Sequence, residues 1–191
     1  MRIPFISPAE LNSDQRPLYD DMRIGIEKNF RGFIAVRSTG QLIGPWAPWI
    51  RFPKFGRPVW ELLKALSSTP TLTRSVREIA ILVVGAAFRS GYEIYAHANV
   101  AELTGFSEER IATISAGQRP ADLTREEAVA FDIASALVSG GVLPEPTYQQ
   151  AVRLFGDDST AELMYLIGFY CLVSVCLNGF DVPVPEVNAR Y

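Results

Sequence analysis

His97 is the single histidine in this 191-residue chain, and two glutamates stand where they can work with it. Glu93 lies four residues before it and Ser90 seven before it. On a helix, positions i, i+3 and i+7 share a face, so Ser90, Glu93 and His97 line up. Glu78 lies one predicted helix earlier, where an almost wholly apolar run begins. A carboxylate that enters a buried helix needs a partner or a raised pKa. Antiparallel packing of the two helices would bring Glu78 to His97. The chemistry on offer is proton transfer. A histidine titrates near neutral pH, and a neighbouring carboxylate can orient its ring. Two carboxylates in different surroundings can hold different protonation states. None of this needs a cofactor. Plainer readings stand beside it. Glu93 and His97 at i, i+4 also suit an ordinary helix-surface pair, worth a few tenths of a kcal/mol. Glu78 near a helix start can simply favour the dipole. One histidine with two glutamates is a thin zinc set, so no metal is expected.

The elements that must position these residues are helical throughout. Ser7-Pro8 precedes Asn12-Ser13-Asp14-Gln15, a capping-box-like start to a first helix that runs to about Asn29. Residues 30–55 are rich in Gly, Pro and aromatics, including Gly44-Pro45-Trp46-Ala47-Pro48-Trp49. They read as a long ordered loop with a short helix. Phe55 to Leu66 is a second helix, ended by Ser67-Ser68-Thr69-Pro70. Thr71 or Thr73 caps the central segment, in which Ile79 to Phe88 reads as a helix buried on all sides. Ser90-Gly91 interrupts it, and a second central helix runs from about Tyr92 to Leu103, stopped by Thr104-Gly105. Ser107-Glu108-Glu109 opens a short helix with acids in its first turn. Thr124-Arg125-Glu126-Glu127 is a capping box for a helix to about Val138, and Thr147 to Phe155 is helical. Ser159-Thr160-Ala161-Glu162 reads as a third capping box, starting the run Leu163 to Leu177 that Asn178-Gly179 ends. No region alternates with period two, so almost no strand is expected.

Composition bounds the function classes. Apolar residues make up 48% and charged residues 20%, enough for a sizeable core. The net charge is −3 and no Lys/Arg run stands out, so no nucleic-acid partner is expected. The apolar runs are short for a bilayer, so no membrane partner is expected either. The start, Met1-Arg2-Ile3-Pro4-Phe5, lacks the apolar core of a signal peptide, and a cytoplasmic protein is expected. Cys171 and Cys176 sit in the last apolar run, turned roughly 140° apart on a helix. They read as small core residues rather than a disulfide. Two very apolar helices in a modest chain suggest a subunit interface as well as a core, hence a homo-oligomer.

At this point the sequence resembles the carboxymuconolactone decarboxylase / alkyl hydroperoxidase D superfamily. Members related to alkyl hydroperoxidase D carry a Glu, then after twelve residues Cys-x-x-Cys-x-x-x-His, on adjacent helices. Glu78 and His97 match that pattern, while both cysteine positions are changed, to Ser90 and Glu93. The decarboxylase branch lacks the cysteine pair and has Glu-x-x-x-His, which Glu93 to His97 fits. Arg77-Glu78-Ile79-Ala80-Ile81-Leu82, Ala101-Glu102-Leu103-Thr104-Gly105-Phe106-Ser107 and Gly44-Pro45-Trp46 resemble the family's flanks and its Gly-Pro-aromatic loop. Leu166-Ile167-Gly168-Phe169-Tyr170 resembles the closing helix of its longer members.

The resemblance implies a single all-α domain over residues 1–191, an alkyl hydroperoxidase D-like helical bundle. It would have an N-terminal helical arm (1–70), core motif helices (71–116) and C-terminal helices (124–180). It implies a cofactor-independent lyase or isomerase, decarboxylase-like, acting on a small carboxylated lactone or related intermediate of aromatic catabolism. His97 would be the general acid or base, Glu93 would orient it, and Glu78 would be a second acid/base group. Ser90 or Tyr95 would hydrogen-bond the substrate, Arg51 or Arg89 would meet its carboxylate, and Trp46 and Trp49 would wall the pocket. Arg89 also suits a solvated helix end, and the tryptophans suit a core. A thiol peroxidase needs a thiolate and a resolving partner, which positions 90 and 93 do not supply. A hydroperoxidase that uses Cys171 or Cys176 is the alternative, and a non-catalytic ligand-binding module is another.

Overall fold

The computed structural model describes residues 1–68 and 70–186 and is all-α over them, with nine α-helices, one short 3-10 turn and no strand. Thr69 in the expected helix stop, and residues 187–191 of the expected domain, lie outside the described residues. An isolated bridge between Val36 and Leu42 is all that pairs in the long loop.

Local chemistry sets most of the boundaries. Ser7 and Glu10 close a capping box on the 3-10 turn Pro8–Glu10. The box expected at Asn12–Gln15 also forms. Gln15 N–H donates to Asn12 Oδ1 at 3.0 Å, and Asn12 N–H donates to Gln15 Oε1 at 3.1 Å. Helix α1 (Arg16–Asn29) follows and buries Leu18, Met22 and Ile26, one stripe at four-residue spacing. The short helix of the loop is α2 (Trp46–Arg51), and α3 (Pro53–Ser68) starts two residues before Phe55 and ends two after Leu66. Thr73 caps α4 (Arg74–Phe88), accepting from Val76 N–H, and α5 (Gly91–Leu103) follows. Ser107 caps α6 (Glu108–Ser115), and the Thr124–Glu127 box opens α7 (Arg125–Val138). Helix α8 (Glu145–Phe155) begins two residues before Thr147, because Pro146 fits a first turn whose N–H needs no helical partner.

The last helix departs from expectation. Helix α9 (Asp157–Gly179) starts two residues before Ser159, behind Gly156, and no side chain caps it. Glu162 does not turn back to its own helix end. Its carboxylate accepts from Thr71 N–H at 2.6 Å and Thr71 Oγ1–H at 2.7 Å, and pairs with Arg77. The acid read as part of a capping box instead ties α9 to the start of α4. The 23 residues of α9 are long and apolar enough to cross a membrane, but half of its apolar window is buried against the bundle, as in a core helix.

Helix α4 is the centre of the molecule. It packs against α5, α6, α7 and α9, and from Val76 to Gly85 only Arg77 escapes full burial. Each fully buried aliphatic chain there contributes roughly 1.5–3 kcal/mol. A helix with no solvent face has nowhere to put a charge except between its neighbours, and that is where Glu78 goes.

Candidate active site

The turn between α4 and α5 makes the site. Arg89 closes α4 in a left-handed conformation (φ 50°), and Ser90, in extended conformation, opens α5. The two helices then run antiparallel. Gly85 near the end of α4 lies against Glu93 and Ile94 near the start of α5, while Glu78 near the start of α4 reaches His97. The antiparallel meeting of Glu78 and His97 is therefore as expected.

His97 is held between two carboxyls. Its Nδ1 lies 2.7 Å from Glu78 Oε2, and its Nε2 lies 3.2 Å from Glu93 Oε1. Both glutamates are buried, at 5% and 3% exposure. The Glu78 contact is an aligned hydrogen bond. The Glu93 contact is a charge contact only, and Glu93 Oε1 has no hydrogen-bond partner among the described residues. Ser90 and Glu93 have the spacing of a capping box, yet Ser90 makes no side-chain cap bond. Glu93 faces the imidazole instead. The edge of Tyr170 from α9 closes on the ring, centroids 4.9 Å apart. The two carboxyls sit on opposite nitrogens, so no single point offers all three side chains to one ion. Among the described residues no group of three His, Cys, Asp or Glu has metal-holding geometry.

Burial raises the Glu93 pKa from its ordinary 4.5 to about 7, helped by the Glu78 charge and opposed by His97. For His97, burial works against the charged ring, but Glu78, by charge and hydrogen bond, and then Glu93 prevail and its pKa rises. Tyr170 is held well above the usual phenol range by burial and by both glutamates. The stability consequence has one sign. Glu93 and His97 both bind protons more tightly folded than unfolded. Their contribution is full below the unfolded values and is lost as pH rises through the folded ones. The thermal midpoint is therefore expected to fall from pH 5 to pH 8, and Glu93→Gln is expected to flatten that fall. Calorimetry across this range checks it. A Glu93→Gln profile parallel to the wild type would place the titration elsewhere.

Glu93 and His97 open onto a small cavity of about 30 Å³, shared with Tyr92, Trp46, Trp49 and Tyr170. Glu78 does not line it. Among the described residues no Lys or Arg does so either. Trp46 and Trp49 are buried, and neither indole N–H has a partner among the described residues. Leaving a buried donor unpaired costs about 1–3 kcal/mol. The third tryptophan differs, since Trp60 Nε1–H donates to Asp21 at 2.8 Å.

The remaining expected site residues stand elsewhere. Arg51 is exposed on a separate surface groove beside Asn12 and Gln15. Arg89 is exposed at the left-handed turn and does not line the cavity. Ser90 is fully buried and does not line the cavity. Tyr95 lies on another face of α5, where its hydroxyl accepts from Ile34 N–H at 3.0 Å. Tyr92, which sequence spacing does not single out, does line the cavity and donates to Ile34 C=O at 2.7 Å. The two tyrosines thus clip the long loop to α5. Sequence reasoning also misses Tyr170. Only its place in an aromatic-rich closing helix hints at it.

Residues 53–136 match the carboxymuconolactone decarboxylase family. That span carries Glu78, Glu93 and His97 but neither Trp46 nor Trp49. A search of curated proteins by sequence gives no match. Among solved structures, the chain is similar to an alkylhydroperoxidase AhpD core, an uncharacterized peroxidase-related protein from Ralstonia eutropha JMP134. The TM-score is 0.76 at 16% identity, over 97% of this chain and 92% of that one. It is also similar to the debrominase Bmp8 without ligand (TM-score 0.71, 14% identity, 92% of this chain and 90% of that one). A cysteine-to-alanine variant of Bmp8 in complex with 2,3,4-tribromopyrrole gives 0.72 at 15% identity, over the same shares. At these identities the likeness is one of fold. Residues 53–136 thus resemble the carboxymuconolactone decarboxylase family, and the chain as a whole shares the fold of these alkyl hydroperoxidase D-like structures.

Proposed function

We propose that this protein is a cofactor-independent acid–base catalyst, a lyase or isomerase that moves a proton on a small lactone or related acid. The observation that carries the reading is a histidine bracketed by two buried carboxyls, only one of which opens onto a cavity. The geometry favours roles for the two glutamates that are the reverse of the expected ones. Glu78, behind the ring on Nδ1, fixes its tautomer and orientation. Glu93, with a pKa near 7 and a place on the cavity wall, is the group that takes up and returns the substrate proton. A catalytic pKa near the working pH gives both protonation states at once. His97 supplies the neighbouring positive charge that stabilises the Glu93 carboxylate when it forms. With Arg51 and Arg89 off the cavity, the part of a carboxylated lactone that this cavity reads is its carbonyl.

The test is turnover of carboxylated lactones, followed by loss of ultraviolet absorbance, against consumption of hydroperoxides in the presence of a dithiol. Lactone turnover that survives thiol blocking supports the proposal. Peroxide turnover that thiol blocking abolishes refutes it. Cys171 and Cys176 are both free and partly buried, burial raises both thiol pKa values, and neither lines the cavity. Replacing both by Ser is therefore expected to leave kcat within about twofold, since neither is placed to supply a thiolate. A large loss in the double variant, with the fold intact by circular dichroism, would restore the thiol route.

A further inference from the structure

The geometry points to a specific task for Trp46 and Trp49: their indole N–H groups form a donor pair that binds the oxygen of an enolisable carbonyl substrate and stabilises the enolate made from it. The inference rests on the acid–base reading above and names the substrate chemistry of that same cavity.

Two buried donors on one short helix have no partner among the described residues, while Trp60, equally buried, has one. Both unpartnered indoles line the cavity that Glu93 and His97 line. Their rings stand edge to face with centroids 6.3 Å apart. An indole N–H donates and cannot accept, so whatever satisfies the pair must bring acceptor oxygens or their equivalent. The cavity leaves about 30 Å³ for the centres of water-sized groups, above the roughly 10–15 Å³ that one such group needs. A carbonyl oxygen fits that space, and a ring does not unless the side chains on the loop after α1 give way. With no Lys or Arg on the lining, a substrate carboxylate would find only His97, already held between Glu78 and Glu93, and would face Glu93.

The proton chemistry then balances without another reactant. The C–H bond next to the carbonyl breaks, and its proton goes to the Glu93 carboxylate. The electron pair forms a carbon–carbon double bond, and the carbonyl π pair moves onto oxygen as an enolate. The two N–H groups hold that oxygen where charge builds, in a site of low dielectric where such donors act most strongly. Return of the proton from Glu93 to a different carbon of the conjugated system restores the carbonyl.

The experiment is a titration of the full chain, labelled with 15N at its tryptophan indoles, with phenol and with benzene. Phenol carries an enol-like oxygen, and benzene is the same ring without it. Phenol is expected to move the indole N–H protons of Trp46 and Trp49 downfield and to leave that of Trp60 in place. Benzene is expected to cause no downfield movement. Trp46→Phe and Trp49→Phe, which keep the aromatic packing, are each expected to weaken phenol binding about tenfold, the loss of one good hydrogen bond. Static indole protons, absence of phenol binding by the wild type, or phenol binding unchanged in both Phe variants would overturn the assignment. None of these readouts needs turnover, so an active His97→Gln variant, which ends the acid–base reading, is a separate result.

Discussion

His97→Gln is expected to abolish measurable turnover, with kcat reduced by roughly 10²–10⁴, while the helices and their packing persist. The imidazole touches both carboxyls, with Nδ1 2.7 Å from Glu78 and Nε2 3.2 Å from Glu93. A Gln side chain can donate one hydrogen bond to Glu78 in place of Nδ1–H. It cannot hold a proton, and it cannot face Glu93 with positive charge. His97 lowers the Glu93 pKa against a larger rise from burial. Removing it leaves that rise unopposed. In the variant Glu93 should stay protonated across neutral pH, so any residual activity should rise only at alkaline pH. Kinetics from pH 5 to 9, with circular dichroism and a thermal midpoint on the same samples, decide the matter. A folded Gln variant with wild-type kcat would end the proposal. The variant also separates the site from its scaffold. His97 belongs to a helix whose other buried residues, Tyr92, Tyr95, Ala98 and Ala101 among them, pack without it.

How much of this can be read from the sequence depends on how far each contact reaches along the chain. The i, i+4 relation of Glu93 and His97 is fixed by helical geometry. The meeting of Glu78 with His97 follows once Ser90-Gly91 is seen to break a long apolar run. Those residues are legible because the information lies within twenty positions. Which side of the imidazole faces the cavity is not legible. It is set by α2 and α9 closing on α5, through Trp46, Trp49 and Tyr170, and these come from both ends of the chain. The roles of Glu78 and Glu93 turn on that choice. Sequence reasoning takes Tyr95 rather than Tyr92 for the same reason, because a helix buried on most sides gives no amphipathic cue to which tyrosine meets the pocket. Two acids also defeat a local rule. Glu162 and Glu93 both sit three residues after a Ser at a helix start. One is drawn off by Arg77 and Thr71 across the fold, the other by His97. An acid with a tertiary partner abandons the cap, and only the fold reveals the partner.

Gly44→Ala is expected to cost about 2–4 kcal/mol of stability, combining backbone strain with overpacking. Gly44 sits at φ +63°, in the left-handed region where an L side chain is strained. The larger effect comes from what a methyl would meet. It would overlap the ring and hydroxyl of Tyr92, which stands over the Gly44 backbone while donating to Ile34 C=O. Tyr92 cannot step aside cheaply, since it is 2% exposed, packs edge to face on Tyr95 and lines the cavity. The added methyl must therefore push the start of α2 away from α5, and Trp46, two residues on, moves with it. The thermal midpoint should drop by roughly 5–15 °C in a chain of this size. At temperatures where the variant is still folded, the substrate end of the cavity should suffer first, so KM should rise more than kcat falls. A Gly44→Ala variant as stable as the wild type would mean that α2 and α5 are not locked together at this point. The indoles would then lack the fixed placement that an enolate-binding pair requires.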